Sequence, residues 1–140
     1  MNDIPTVKDS GVRENFSTGS VRDTRAGKGR YDLLPTRAMR RVARHFEAGA
    51  VKYGDRNWEK GQPLSRYMDS AMRHLMTHLE GHRDEDHLAA AAWNILACIE
   101  TEERVFSGLL HHDLHDLPVL PANEAPANVT PLLLTEGGTD

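Results

Sequence analysis

A single cysteine, Cys98, in a chain of 140 residues excludes an intrachain disulfide framework. Cys98 sits within an apolar helical pattern, which fits a buried thiol in a reducing cytoplasm better than a nucleophile. Long hydrophobic runs are also missing: nothing approaches the roughly 20 apolar residues that cross a bilayer. The opening Met1-Asn2-Asp3-Ile4-Pro5 has neither a basic region nor an apolar core, so no secretory leader is expected. There is no excess of positive charge. A net charge of −4 argues against wholesale electrostatic binding of nucleic acid, though not against a local basic patch. Internal repeats are absent. What remains is a chain long enough for one domain with a real core, expected to be cytoplasmic, with neither a membrane nor a stable nucleic-acid partner.

Three helices are predicted. The first runs from Thr36 to Tyr53, opened by Pro35 and closed by Gly54, with Met39, Val42, Ala43, Phe46, Ala50 and Tyr53 as its apolar stripe. The second runs from an N-cap at Ser65 to Glu80, with Met68, Ala71, Met72, Leu75, Met76 and Leu79 as its core face. Asp69, Arg73 and Glu80 border that face on one side; Tyr67, His74 and His78 border it on the other. The third runs from an N-cap at Asp84 to Ser107, with Leu88, Ala91, Ala92, Ile95, Ile99 and Phe106 inward and His87, Asn94 and Cys98 along one edge. Ala89, Ala90, Trp93 and Ala97 leave its other faces apolar too. A helix apolar nearly all round is packed from several sides, so a homo-oligomer with Trp93 in its interface is expected.

The corner between the second and third helices gathers Glu80, Asp84, Glu85 and Asp86, with His74, His78, His82 and His87 nearby. Crowded carboxylates repel unless solvated or joined by a cation. A divalent metal site is one reading; an acidic first turn favoured by the helix dipole is the other. Glu47, at the edge of the first stripe, can point into a cleft or pair with Arg40 or Arg44.

Residues 1–35 show no helical period. Gly27-Lys28-Gly29-Arg30 pairs glycines with cations, which suits close approach to a phosphate or an exposed basic arm, and the Walker spacing is absent. Arg56-Asn57-Trp58 lies in a turn-rich connection. Trp58 there either plugs the core or offers a stacking face to a nucleobase. His112-Asp113 is shared with the metal pair of HD phosphohydrolases, but too little helical chain follows to supply the rest of that site. The expected organisation is a flexible N-terminus over 1–16, a helical domain over 17–108, and a docking segment with a flexible tail over 109–140.

Three stretches together are more specific than any one alone: R-D-x-x-x-G-K-x-R-Y-D-L-L-P at 22–35, G-A-x-K-Y-G-x-R-N-W at 49–58, and R-H-L with E-G-x-x-D-E-D-H-L-x-x-x-x-W-N at 73–94. Over residues 17–104 the chain resembles the phage dATP/dGTP diphosphohydrolases, a family of MazG-like (MazZ) nucleotide pyrophosphohydrolases. The resemblance implies an all-α small helical bundle, here with an irregular N-terminal arm and a flexible C-terminal tail. It also implies hydrolysis of dGTP or dATP to the monophosphate and pyrophosphate, with a divalent metal (Mg²⁺, Mn²⁺ or Co²⁺), in the host cytoplasm of a phage. Some members accompany replacement of adenine by 2-aminoadenine in phage DNA. MazG-type enzymes carry E-x-x-E on one helix and E-x-x-D on the next; the second helix here lacks E-x-x-E, so those ligands do not transfer. The expected metal set is Glu47, Glu80, Asp84 and Asp86, with Glu80 also the base and His74 a proton donor or phosphate ligand. Lys28, Arg30, Lys52, Arg73 and His87 are expected on phosphates, and Asn57, Trp58 and Asn94 on sugar or base. Asp32 and Asp69 would orient the cations. The alternatives are a nucleotide hydrolase of other specificity or cleavage position, including HD-like triphosphohydrolysis, and a non-enzymatic protein binding nucleic acid or a host factor.

Overall fold

The computed structural model describes residues 5–121; the greater part of the tail expected at the C-terminus lies outside the described residues. Internal contacts divide the chain into two units, one ending at Met39 and one beginning at Arg40. The first holds a hairpin where an irregular arm is expected from the sequence. Strand β1 (Arg13–Asn15) pairs antiparallel with β2 (Val21–Asp23), Glu14 lying opposite Arg22. Gly19, at φ +85°, closes the turn, a conformation that a residue with a Cβ rarely adopts. Asp23 ties the hairpin to its flanks by accepting from the Ser10 amide at 3.2 Å and from Lys28 Nζ at 2.7 Å. Strands of three residues are too short to show alternation, which is why the pattern was invisible.

Three helices follow: α1 (Thr36–Tyr53), α2 (Leu64–Leu79) and α3 (His87–Phe106). Helix α1 begins after Pro35 and ends on Gly54, whose amide donates to Ala50 O at φ +91°. Helices α2 and α3 form the close pair and run antiparallel, Tyr67 meeting Thr101 near one end and His74 meeting His87 at the other. Leu64, Tyr67 and Ala97 are buried between them, with Trp58, Trp93, Cys98 and Leu117 packed around. No helix among the described residues is long and apolar enough to cross a membrane.

The facing sides differ from those the apolar stripes suggest. Helix α2 turns Leu64, Tyr67, Ala71 and His74 toward its partner, and α3 answers with His87, Ala90, Ala91, Asn94, Ala97 and Thr101. The alanines let the two backbones approach closely, and that leaves room for Tyr67 and the imidazoles between them. Met72, Leu75, Met76 and Leu79 of α2, and Ile95, Ile99 and Phe106 of α3, are exposed. Trp93, expected at a subunit interface, instead packs inside this chain, its ring 5.8 Å from Phe46, 6.1 Å from His45 and 6.3 Å from Tyr67.

The helix starts also move. Ser65 lies inside α2, and its amide and hydroxyl are both bonded by Asp116, at 2.9 Å for the amide. That carboxylate, from the far end of the chain, supplies the cap the sequence reading assigned to Ser65. Asp116 follows a 3₁₀ turn at His112–Leu114, whose Leu114 lies with Leu110 over Gly61. A Cβ at Gly61 would stand 2.7 Å from Leu114 Cδ1, and its φ of +81° is one that a residue with a Cβ rarely adopts. Asp86, not Asp84, caps α3 by accepting from the Ala89 amide at 3.1 Å.

Candidate functional site

The turn from α2 into α3 brings three donor atoms together. His74 Nδ1 lies 3.0 Å from His87 Nδ1 and 3.3 Å from Glu85 Oε1, and the latter two are 3.6 Å apart. Tetrahedral coordination with bonds of about 2.0–2.1 Å places neighbouring donors about 3.3–3.4 Å apart. The triangle therefore matches one face of such a polyhedron, and the mixed N/O set suits Mn²⁺, Co²⁺ or Zn²⁺ better than all-oxygen Mg²⁺. His87 is buried, and its Nε2 sits 2.9 Å from Asp84 Oδ1. A carboxylate there holds the Nε2 proton and so directs the Nδ1 lone pair into the triangle. The same bond keeps the Asp84 carboxyl below its usual value. Burial pushes His74 below the ordinary imidazole value despite the neighbouring Glu85, which favours the neutral, ligating form.

The donor group opens into a cleft of about 670 Å³ walled by α1, α2 and α3. Lys52 and Arg66 line it and have no carboxylate partner among the described residues. Arg73 lines it too, bonded to Asp69 at 2.7 Å, the orientation expected of that pair. Asn94 is buried at its floor and donates to Ala90 O. Gly49, Tyr53, Asn57 and Trp93 are shared with a second, more apolar and more open chamber of about 390 Å³, lined also by Phe46, Ala50, Trp58, Arg56 and Glu47. Arg56 there holds φ +56°, which is uncommon for a residue with a side chain and frequent at binding sites.

The carboxylates expected to hold a metal do not converge. Among the described residues, Glu47, Glu80, Asp84 and Asp86 form no common donor group. Glu80 is exposed at the end of α2, where His82 Nε2 lies 3.5 Å away, and it does not line the cleft. Asp86 is engaged by Arg41, with 2.6 Å between Nη2 and Oδ1, and by the α3 cap. Its pKa falls to about 2, chiefly through the Arg41 hydrogen bond. Asp84 backs His87, and Glu47 lies in the apolar chamber. Of the other expected site residues, His74, Lys52, Arg73, Asn57 and Asn94 line one cleft, His87 joins them through the donor group, and Trp58 lines the adjoining chamber. Lys28 and Arg30 belong to the first unit, where Asp23 and Asp32 hold them at 2.7 Å.

Sequence reasoning missed His45 and Arg66 in the cleft wall and the place of Glu85 in the donor group. Glu85 was visible in the acidic corner, but only the fold shows which of three successive acids faces the Nδ1 atoms of both histidines. A second cluster, His111, His112 and Asp113, is fully at the surface.

A small all-α domain that sets an imidazole–carboxylate donor group beside cations with no carboxylate partner is suited to receive a phosphorylated substrate. The family model described as dATP/dGTP diphosphohydrolase, N-terminal, matches residues 18–107, and the chain belongs to that family. It is therefore an enzyme of the nucleoside triphosphate pyrophosphohydrolase class, which disposes of the purely binding alternative. Comparison with the curated proteins and with the solved structures gives no match.

Proposed function

We infer that the chain hydrolyses dGTP or dATP between the α- and β-phosphates, with a divalent ion held by His74, Glu85 and His87. The observation that carries this reading is the donor triangle opening onto Lys52, Arg66 and Arg73. An ion bound there would neutralise phosphate charge and acidify a water. The three cations orient the triphosphate and stabilise charge on the leaving group. Water attacks the α-phosphorus, the Pα–O bond to the β-phosphate breaks, and pyrophosphate departs. Glu85 has a second carboxylate oxygen that can take the attacking water's proton, a role Glu80 cannot fill from outside the cleft. Asp84 fixes the His87 ring, and Asn57 stands where the sugar would pass between the chambers. The metabolic setting that fits is phage nucleotide metabolism, where removal of dATP or supply of dGMP would support 2-aminoadenine DNA synthesis. The test is to incubate the protein with each deoxynucleoside triphosphate and Mg²⁺, Mn²⁺ or Co²⁺ and separate the products. Pyrophosphate with monophosphate is expected; tripolyphosphate would point to HD-like cleavage, and absence of turnover with every metal would overturn the reading.

A further inference from the structure

The apolar chamber beside the cleft has features that the phosphate chemistry leaves unused. Phe46, Trp58 and Trp93 give it aromatic walls, which suit the faces of a nucleobase. The residues shared by both chambers, Gly49, Tyr53, Asn57 and Trp93, mark the passage from triphosphate to base. A purine whose sugar sits at that passage points the edge opposite its glycosidic bond at the remaining wall. That edge carries N1 and the substituents at C2 and C6. Glu47 belongs to the part of the lining that is not shared, with Asp55 and Arg56 as the other charged groups there. It makes no ion pair among the described residues, and it stands on α1, a scaffold more rigid than the loop that carries Asp55.

We propose that Glu47 is a specificity residue that reads the Watson–Crick edge of guanine and makes the enzyme prefer dGTP. A carboxylate offers two acceptors and no donor. Guanine presents two donors on this edge, N1–H and the 2-amino group, and pairs with both oxygens. Adenine presents an acceptor at N1 beside a donor at N6, which leaves one carboxylate oxygen facing a lone pair. The carboxamide of glutamine has one donor and one acceptor and reverses this match.

The inference rests on the nucleotide reading above, and the experiment separates the two. The quantities measured are kcat/KM for dGTP, dATP and dITP, which lacks the 2-amino group, in the wild type and in Glu47→Gln. The wild type is expected to prefer dGTP to dATP, with dITP between them. Glu47→Gln is expected to lower the dGTP/dATP ratio by about 10- to 100-fold, the discrimination typical of one bidentate base contact. Glu47 is exposed, so the variant should fold, and the dITP comparison needs no variant at all. Turnover with an unchanged ratio in Glu47→Gln, a wild type indifferent to the base, or a switch produced by Asp55→Asn instead would overturn the role of Glu47. Failure of the wild type to hydrolyse either nucleotide would refute the nucleotide reading itself.

Discussion

Replacing Asp84 with alanine tests the donor triangle without touching a donor. The Asp84 side chain is 76% exposed and contacts the triangle only through His87 Nε2, at 2.9 Å, so its loss should leave the fold intact. What it removes is the acceptor that fixes the His87 tautomer and ring. Loss of such an outer partner typically weakens metal binding 10- to 100-fold. A metal at 100 times its dissociation constant adds about 2.7 kcal/mol to the wild type. At about 4 °C per kcal/mol for a domain near this size, that is a rise in Tm of about 11 °C. With the same metal concentration, Asp84→Ala should rise by only about 2–6 °C. The assay is thermal unfolding with and without Mn²⁺, Co²⁺ or Zn²⁺, alongside direct titration of the ion. His87→Ala should abolish the rise, with circular dichroism confirming the helices. A wild-type rise that survives unchanged in both variants would place the ion elsewhere and refute the reasoning.

The other predictions concern the scaffold. Leu64 is 1% exposed in the α2–α3 core, so Leu64→Ala should cost about 2–5 kcal/mol in urea unfolding; a loss well under 1 kcal/mol would contradict the packing. Leu79 stands 79% exposed on the apolar stripe of α2, and a second copy of the chain covering it would explain the stripe. Sedimentation should then show an oligomer that Leu79→Lys dissociates; a monomeric wild type removes that explanation. Hydrogen bonds from Ser65 hold the Asp116 carboxyl below its usual value. A depressed folded pKa means stability that is present above the unfolded value of about 3.9 and lost as the pH falls through the lower folded one. The gap in urea midpoint between wild type and Asp116→Asn should therefore shrink in acid, and a gap constant from about pH 6 to pH 3 would deny Asp116 its capping charge.

The helices were legible because their signals are local. Pro35 and Gly54 bracket α1 at the residues observed, and apolar spacing identified α2 and α3 to within a few positions. Orientation was not legible. The stripe Met72, Leu75, Met76 and Leu79 reads as a core face, yet α3 takes Tyr67 and His74 instead, because its alanines admit large groups at short range. Periodicity reports which face is apolar; it does not report which face finds a partner within one chain. The Asp116 cap on α2 was invisible for a related reason, since Ser65 and Asp116 lie 51 residues apart and nothing in either neighbourhood names the other.

The acidic corner carries the same lesson into the site. Asp84, Glu85 and Asp86 are successive acids, equivalent to any argument from charge. Their fates are separated by the start of α3. Asp86 is the residue whose side chain can reach the Ala89 amide, so it turns back along the helix and takes Arg41 as a second partner. Asp84, three residues before His87, comes alongside the outer nitrogen of that ring. Glu85, with the longer side chain, is left facing the inner nitrogens of both histidines. One helix cap thus separates three neighbouring carboxylates into a capping group, a partner for the outer nitrogen of His87 and a member of the donor triangle. It follows that shifting the cap should disturb metal binding even where no ligand is changed.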